Sequence, residues 1–135
     1  VYALGISEEV KSDICDFARN KGLNVKYFTS DANSTLSVPE WLAVFRDASY
    51  VITDSFHGTA FSIIYQKDFV VLTNSSRGSS RFLSILNIMG LNDRLKDNNN
   101  LNMDSLACSI DWNSVNRKRD RFIQISLAYL QKKLQ

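Results

Sequence analysis

Short apolar runs alternate with helix-length segments along the first 90 residues, and this alternation restricts the possible folds more than any other feature of the sequence. The apolar runs occupy residues 1–5, 23–28, 49–53 and 69–72, and each is predicted to be a strand. Strands that alternate with helices need crossover connections, which give a parallel sheet with helices on both faces. We therefore predict an α/β fold, a doubly wound parallel sheet with the order β-α-β-α-β-α-β-α.

Capping residues mark where the first two helices begin. Ser7, followed by two glutamates, predicts the start of a helix that Gly22 ends, and a Ser-x-x-Glu capping box at Ser37 predicts a second helix over residues 38–48. Apolar residues at helical spacing are predicted to be buried: Val10, Ile14, Phe17 and Ala18 in the first helix, and Trp41, Leu42, Val44 and Phe45 in the second.

The second half of the chain carries three more predicted helices. Two are short, over residues 59–65 and 81–89, and a polar linker follows over residues 96–102. The last helix, residues 112–134, is long and amphipathic. Its apolar residues form a broad stripe that we expect to pack on this domain and on another part of the protein: Phe122, Ile123, Ile125, Leu127, Tyr129, Leu130 and Leu134.

Composition and charge exclude several classes of protein. A chain of 135 residues, 44% of them hydrophobic, can form one core, so residues 1–135 are predicted to be one domain. The net charge of only +2 disfavours nucleic acid as a partner, and no apolar run reaches the roughly 20 residues of a transmembrane helix. Cys15 and Cys108 are expected to be reduced thiols. Because Val1 stands within a strand pattern, we expect the chain to be part of a longer protein.

Three loops follow predicted strands and are candidate ligand sites, because open parallel sheets bind ligands beyond the carboxyl ends of their strands. They span residues 5–8, 54–59 and 73–80, and the middle loop holds the single histidine, His57. The imidazole is a candidate general acid or base, with a structural role as the alternative. Asp54 either orients this imidazole or caps the next helix, and we favour the cap. Gly58 would let a ligand approach the backbone closely.

The loop over residues 73–80 is rich in hydroxyl groups and leads to Arg81 at a predicted helix start, an arrangement that suits an anion. Arg77 is interpreted as a solvated loop residue. The sequence contains no GxGxxG motif, no GxxxxGK[ST] motif and no acidic cluster for a metal ion. We therefore expect neither a dinucleotide enzyme nor an NTPase, and no cofactor or metal.

Residues 47–64, which read DASYVITDSFHGTAFSII, closely resemble the signature segment of the polysaccharide pyruvyl transferases. Residues 80–82, 89–94 and 110–116 support the resemblance. It implies that this chain is the C-terminal, Rossmann-like domain of a two-domain protein similar to GT-B glycosyltransferases, and that an N-terminal domain is its partner. It also implies a cytoplasmic location, including the inner face of the membrane.

The resemblance implies transfer of pyruvate from phosphoenolpyruvate onto a hydroxyl pair of a cell-surface or exopolysaccharide sugar, as a ketal. His57 would exchange a proton with the enol carbon or the attacking hydroxyl, and the isolated domain would be inactive. The residues expected to bind substrate are Asp54, Ser55, Gly58, Thr59, Ser80 and Arg81. A related branch has Arg at the position of Ser55, so either Arg81 or the other domain replaces that charge, or the anion bound here differs from phosphoenolpyruvate.

Two other functions remain open from the sequence. The first is a GT-B-like glycosyltransferase with a nucleotide-sugar donor, for which Glu8 and Asp31 are candidate ribose partners. The second is a non-catalytic binding module in which His57 is a packed residue.

Overall fold

The structure, a computed structural model, describes residues 5–28, 36–73, 80–97 and 108–134. Three parallel strands form one sheet in the order β1-β2-β3: β1 (Tyr50–Thr53), β2 (Asp68–Thr73) and β3 (Leu95–Asp97). The helices are α1 (Glu8–Asn20), α2 (Val38–Asp47), α3 (Phe56–Ile64), α4 (Ser80–Met89) and α5 (Trp112–Lys133), with a 3₁₀ turn at Asn92–Arg94. The strand predicted at residues 1–5 lies almost wholly outside the described residues.

Helices cover both faces of the sheet, as the strand pattern predicts. Side chains of β1 and β2 alternate between two cores, since successive residues of a strand point to opposite faces. One core joins the strands to helices α2 to α5: it contains Phe45, Val51, Ile63, Phe69, Val71, Phe82, Leu86, Met89, Leu91, Ile110 and Val115. The other joins them to α1: it contains Val10, Ile14, Phe17, Ile52, Val70 and Leu72. The α/β prediction is confirmed for the described residues.

Local capping accounts for the ends of α1 and α2. The Ser7 Oγ accepts the Val10 N–H at 3.3 Å, and Gly22 takes the left-handed φ of +64° beyond the last turn of α1. The Ser37 N–H and hydroxyl both donate to the Glu40 carboxylate, at 2.8 and 2.6 Å, and these hydrogen bonds lower the pKa of Glu40. Both helix starts and the four buried positions of α1 are confirmed.

The buried face of α2 is narrower than predicted. Phe45 is buried, whereas Trp41, Leu42 and Val44 are half-buried. The Trp41 ring contacts Phe45 and Phe61 edge-on, with centroids 4.8 and 5.1 Å apart. Aromatic packing therefore connects α2 to α3 at the periphery of the core.

Two sequence predictions about strands are wrong. Residues 23–28 form no regular strand, and only Phe28 makes an isolated bridge, because this segment leaves much of its surface in water and buries little apolar area. Conversely, β3 pairs with Val71–Thr73 where a polar linker was predicted to begin at Lys96. A three-residue edge strand with two charged side chains carries almost no strand pattern in its sequence.

Helix α5 contacts the rest of the domain through its beginning, and its later turns extend beyond this contact. Val115 is its buried residue, whereas the apolar side chains of the later turns are exposed: Phe122, Ile123, Ile125, Leu127, Tyr129, Leu130 and Leu134. The expectation that this stripe packs on the present domain is therefore wrong. Neither α5 nor any other helix in the described parts of the chain combines the length and apolarity needed to span a membrane.

Polar side chains gather at the amino-terminal edge of the sheet. Tyr50 and Asp68 are paired in register, and the Asp68 carboxylate accepts the Ile110 N–H at 2.9 Å. The Arg94 side chain is buried directly before β3, with its Nε 3.0 Å from the Asp93 carboxylate. The Tyr50 hydroxyl is buried, and this burial raises the pKa of Tyr50 to about 12 although the neighbouring Arg94 guanidinium acts to lower it.

Tyr50→Phe should reduce the loss of folding stability that the wild type shows at alkaline pH. The pKa of Tyr50 is raised from 10.0 to about 12, so the folded state favours the protonated phenol. The contribution of this phenol to the free energy of unfolding is therefore fully present below pH 10 and is lost between pH 10 and 12. Urea unfolding across this range should show a steeper loss in the wild type than in Tyr50→Phe, by up to about 3 kcal/mol. Tyr27→Phe is the control: its pKa is also raised to about 12, but Tyr27 is 42% exposed and solvent screens its contribution. Equal pH profiles for wild type and Tyr50→Phe would contradict the assignment.

Candidate functional site

Two helices begin at the carboxyl edge of the sheet. Strands β1 and β2 are parallel, so their carboxyl ends lie at the same edge. Helix α3 begins three residues after Thr53, α4 begins at Ser80, and the two helices contact each other. Helix starts expose backbone N–H groups and the positive end of the helix dipole, so this edge suits an anionic ligand.

The helix after β1 begins earlier than predicted. Ser55, with φ −110° and ψ 136°, is its N-cap, and Phe56 is its first residue. His57 and Gly58 therefore belong to the first turn of α3 rather than to a loop. The N-cap position predicted for Asp54 is taken by Ser55, the single extended residue between Asp54 and the helix.

His57 has the one exposed side chain within residues 53–59. Thr53, Asp54, Ser55, Gly58 and Thr59 are buried, and Phe56 is half-buried with its ring centroid 6.2 Å from that of His57. An exposed imidazole in a buried turn does not fit the alternative in which His57 is a packed core residue. It leaves the ring accessible to a ligand at the strand edge.

Buried hydroxyl groups secure the backbone on both sides of His57. The Thr53 Oγ1 accepts the Ser55 N–H at 3.1 Å, and the Thr59 hydroxyl donates to the Ser55 carbonyl at 3.0 Å. The Ser62 hydroxyl donates to the Gly58 carbonyl at 2.7 Å. Thr53, Thr59 and Ser62 have no exposed surface, so these hydroxyl groups serve the backbone of the turn.

Gly58 has a packing reason for being glycine. A Cβ at this position would lie 2.2 Å from Oγ1 and 2.9 Å from Cβ of Thr53, closer than non-bonded atoms allow. Its φ is not in the left-handed region, so the backbone conformation does not require glycine. The sequence predicted a close approach of a ligand at Gly58, whereas the structure shows a close approach of α3 to the end of β1.

Ser80 and Arg81 are exposed in the first turn of α4. The structure therefore places them and His57 at starts of neighbouring helices, as the loop positions predict. Residues 74–79, including Arg77, lie outside the described residues. The buried Arg94 at the opposite edge was not singled out from the sequence, and no pattern around it indicates its burial.

A cavity of about 670 Å³ lies elsewhere in the domain. Its lining includes Lys26, Glu40, Asp47 and Tyr50, from the end of α1 to the beginning of β1. This is the amino-terminal side of the sheet, opposite to the edge where open parallel sheets bind their ligands. We therefore place the candidate site at His57 and not in this cavity.

The strands and helix starts define an α/β domain with an exposed histidine at the carboxyl edge of a parallel sheet. The chain belongs to the polysaccharide pyruvyl transferase family, because the model of that family, described as "Polysaccharide pyruvyl transferase", matches residues 2–76, more than half of the chain. Strands β1 and β2 and helix α3 with His57 lie inside the matched range, whereas α4 and α5 lie beyond it. No curated protein and no solved structure matches the chain.

Gly58→Ala should destabilise the domain even though alanine favours a helix by about 1 kcal/mol over glycine. The added methyl overlaps the buried Thr53 side chain, and such overpacking typically costs about 1–3 kcal/mol. Denaturant unfolding of Gly58→Ala, Thr53→Gly and the double variant measures the coupling energy between positions 53 and 58. We expect Gly58→Ala to cost less when Thr53 is glycine, since the clash is then absent. An equal cost in both backgrounds would show that Thr53 is not the obstacle.

Proposed function

We propose that this chain is the C-terminal, Rossmann-like half of a two-domain, GT-B-like enzyme that transfers pyruvate from phosphoenolpyruvate to a hydroxyl pair of a saccharide, forming a ketal. The observation that carries the proposal is the exposed imidazole of His57 in the first turn of α3, inside the segment that matches the family. The acceptor in this proposal is a sugar of a cell-surface or exopolysaccharide, and the enzyme works in the cytoplasm.

Phosphoenolpyruvate carries a phosphate and a carboxylate, and the carboxyl edge of the sheet suits both. The Ser55 side chain makes no capping hydrogen bond to α3, and the first turn of a helix directs its backbone N–H groups towards an anionic ligand. Arg81 adds an exposed guanidinium at the start of α4, with Ser80 beside it. In this proposal Asp54, Ser55 and Thr59 shape the turn that presents these groups.

The proposed reaction needs a proton at one carbon and the loss of phosphate from another. Protonation of the methylene carbon of phosphoenolpyruvate makes the adjacent C2 electrophilic, and two hydroxyl oxygens of the acceptor then form bonds to C2 as the C2–O bond to phosphate breaks. One hydroxyl proton balances the new methyl group, and the other leaves with phosphate. A neutral or protonated imidazole at His57 can exchange a proton with the enol carbon or with the attacking hydroxyl.

Arg81 is our proposed replacement for the charge that a related branch carries at the position of Ser55. Ser55 holds the N-cap position of α3 and is only 5% exposed, so a side chain here has little access to a ligand. A guanidinium from the next helix start, or from the N-terminal domain, would therefore have to face the anion.

The uncovered apolar stripe of α5 supports a partner domain in the same protein. Six large apolar side chains of this helix and that of its C-cap Leu134 are 43–86% exposed, more than one helix of an isolated domain normally leaves in water. We propose that the N-terminal domain packs on this stripe and provides the acceptor wall of the cleft. The isolated domain would then lack activity, since both substrates must be held together.

The nucleotide-sugar alternative has less support. Glu8, a candidate ribose partner, forms an ion pair with Lys11 at 2.5 Å, and Asp31 lies outside the described residues. Thermal-shift measurements with phosphoenolpyruvate and with nucleotide sugars separate the two donors, because a ligand that binds only the folded state raises the melting temperature of the protein. Stabilisation by a nucleotide sugar alone would reject phosphoenolpyruvate as the donor.

His57→Ala should abolish most pyruvyl transfer in the intact protein. Loss of a general acid or base typically lowers the rate about 100-fold or more, whereas removal of an exposed side chain changes the melting temperature little. Phosphate release from phosphoenolpyruvate in the presence of the saccharide acceptor measures the first effect, and calorimetry measures the second. Retained activity with a large loss of stability would assign His57 a structural role.

Arg81→Ala should weaken phosphoenolpyruvate binding without unfolding the domain. A guanidinium that pairs with a charged oxygen contributes about 1.5–3 kcal/mol, so the dissociation constant should rise roughly 10-fold or more. Arg46→Ala is the matched control, because Arg46 is an exposed arginine that pairs with Asp47 at the opposite end of β1. Calorimetric titration should show a loss for Arg81→Ala alone, and equal affinities of the two variants would refute the role of Arg81.

A further inference from the structure

The end of β1 and the start of α3 are joined by two contacts of a single side chain. Thr53, the last residue of β1, has no exposed surface. Its Oγ1 accepts the Ser55 N–H at 3.1 Å, so it fixes the chain before His57. The same side chain lies against Gly58, where a Cβ would come within 2.2 Å of Oγ1, so it also fixes the distance of the helix after His57.

These contacts leave the backbone around His57 little freedom. The Ser55 N–H is bonded to Thr53, the Ser55 carbonyl accepts both the N–H and the hydroxyl of Thr59 at 3.0 Å, and Gly58 is in contact with Thr53. His57 lies between these fixed points with an exposed side chain. The direction of its Cα–Cβ bond relative to the sheet is therefore set by Thr53 on both sides of the turn.

The geometry points to Thr53 as a positioning residue for His57: its hydroxyl and its contact with Gly58 hold the imidazole in one direction at the carboxyl edge of the sheet. This assignment rests on the proposed function, in which His57 exchanges a proton with the substrate. Proton transfer requires hydrogen-bond distance and alignment, and a displacement of about 1 Å can cost on the order of 100-fold in rate. Thr53 itself is buried and acts through the backbone of His57.

The single histidine of this chain makes its orientation measurable without any activity. In the 135-residue chain, the imidazole ¹³Cε1–¹H signal belongs to His57. We expect one sharp signal in the wild type and in Thr53→Ser, which keeps the hydroxyl. In Thr53→Val, which keeps the volume and loses the acceptor, we expect the signal to broaden or to split. Thr53→Ala replaces Thr53→Val if the latter does not fold.

Ser62→Ala is the matched control for loss of a buried hydroxyl. The Ser62 hydroxyl bonds the Gly58 carbonyl one turn further along α3 and does not contact Thr53 by a hydrogen bond. We expect the His57 signal of Ser62→Ala to remain sharp even if the melting temperature falls. An unchanged signal in Thr53→Val, or equal broadening in Thr53→Ser and Ser62→Ala, would overturn the positioning role and leave Thr53 a packing residue.

Kinetics of the intact protein provide the second readout. Thr53→Val should lower kcat about 10-fold with little change in KM for phosphoenolpyruvate, because positioning affects the transition state more than substrate binding, and Thr53→Ser should restore kcat. A change confined to KM would overturn the inference. If His57→Ala keeps its activity, the proposed role of His57 in proton transfer fails, whereas the nuclear magnetic resonance signal still decides whether Thr53 orders the imidazole.

Discussion

The structure depends on the burial of β2 between two layers of helices. Phe69, Val70 and Val71 have no exposed surface, and Leu72 is 1% exposed. Because consecutive side chains point in opposite directions, this strand contributes to both cores, one with α1 and the other with helices α2 to α5. Burying each of these side chains contributes roughly 1.5–3 kcal/mol. The parallel pairing with β1 then fixes where the chain leaves the sheet and where α3 and α4 begin.

Once the strand ends are fixed, a few residues between β1 and α3 determine the geometry of the turn that carries His57. Thr53 ends β1 with a buried hydroxyl, Ser55 is extended, and Gly58 has no side chain to hold α3 away. Most polar groups of this turn bond the backbone, and His57 is left facing outward. At the other edge of the sheet the polar side chains are also largely withdrawn from solvent: Arg94 is buried, and Tyr50 and Asp68 are half-buried. The Asp68 carboxylate there accepts the Ile110 N–H, whereas the exposed imidazole lies at the carboxyl edge.

The parts of the fold that the sequence predicts well are those determined by local pattern. The four buried residues of α1 follow from helical spacing, and the capping box at Ser37 follows from side chains three residues apart. The position of His57 follows from an apolar strand that ends before it. Tertiary contacts decide the rest: β3 pairs with Val71–Thr73, and the Thr53 side chain leaves no room for a Cβ at Gly58, which no local pattern indicates. The burial of Arg94 has no sequence signal either.

Helix α3 has a consequence for how the domain assembles. It has nine residues, begins with an aromatic residue and contains a glycine in its first turn, whereas an isolated helix of fewer than about 12–15 residues is marginal in water. It therefore gains its stability from docking on β1 and β2, and it should form late, after the two strands have paired. The imidazole is then displayed only by molecules whose sheet is complete. A substitution far from His57 that loosens β2 would reduce the population of molecules that display the imidazole without changing the histidine itself.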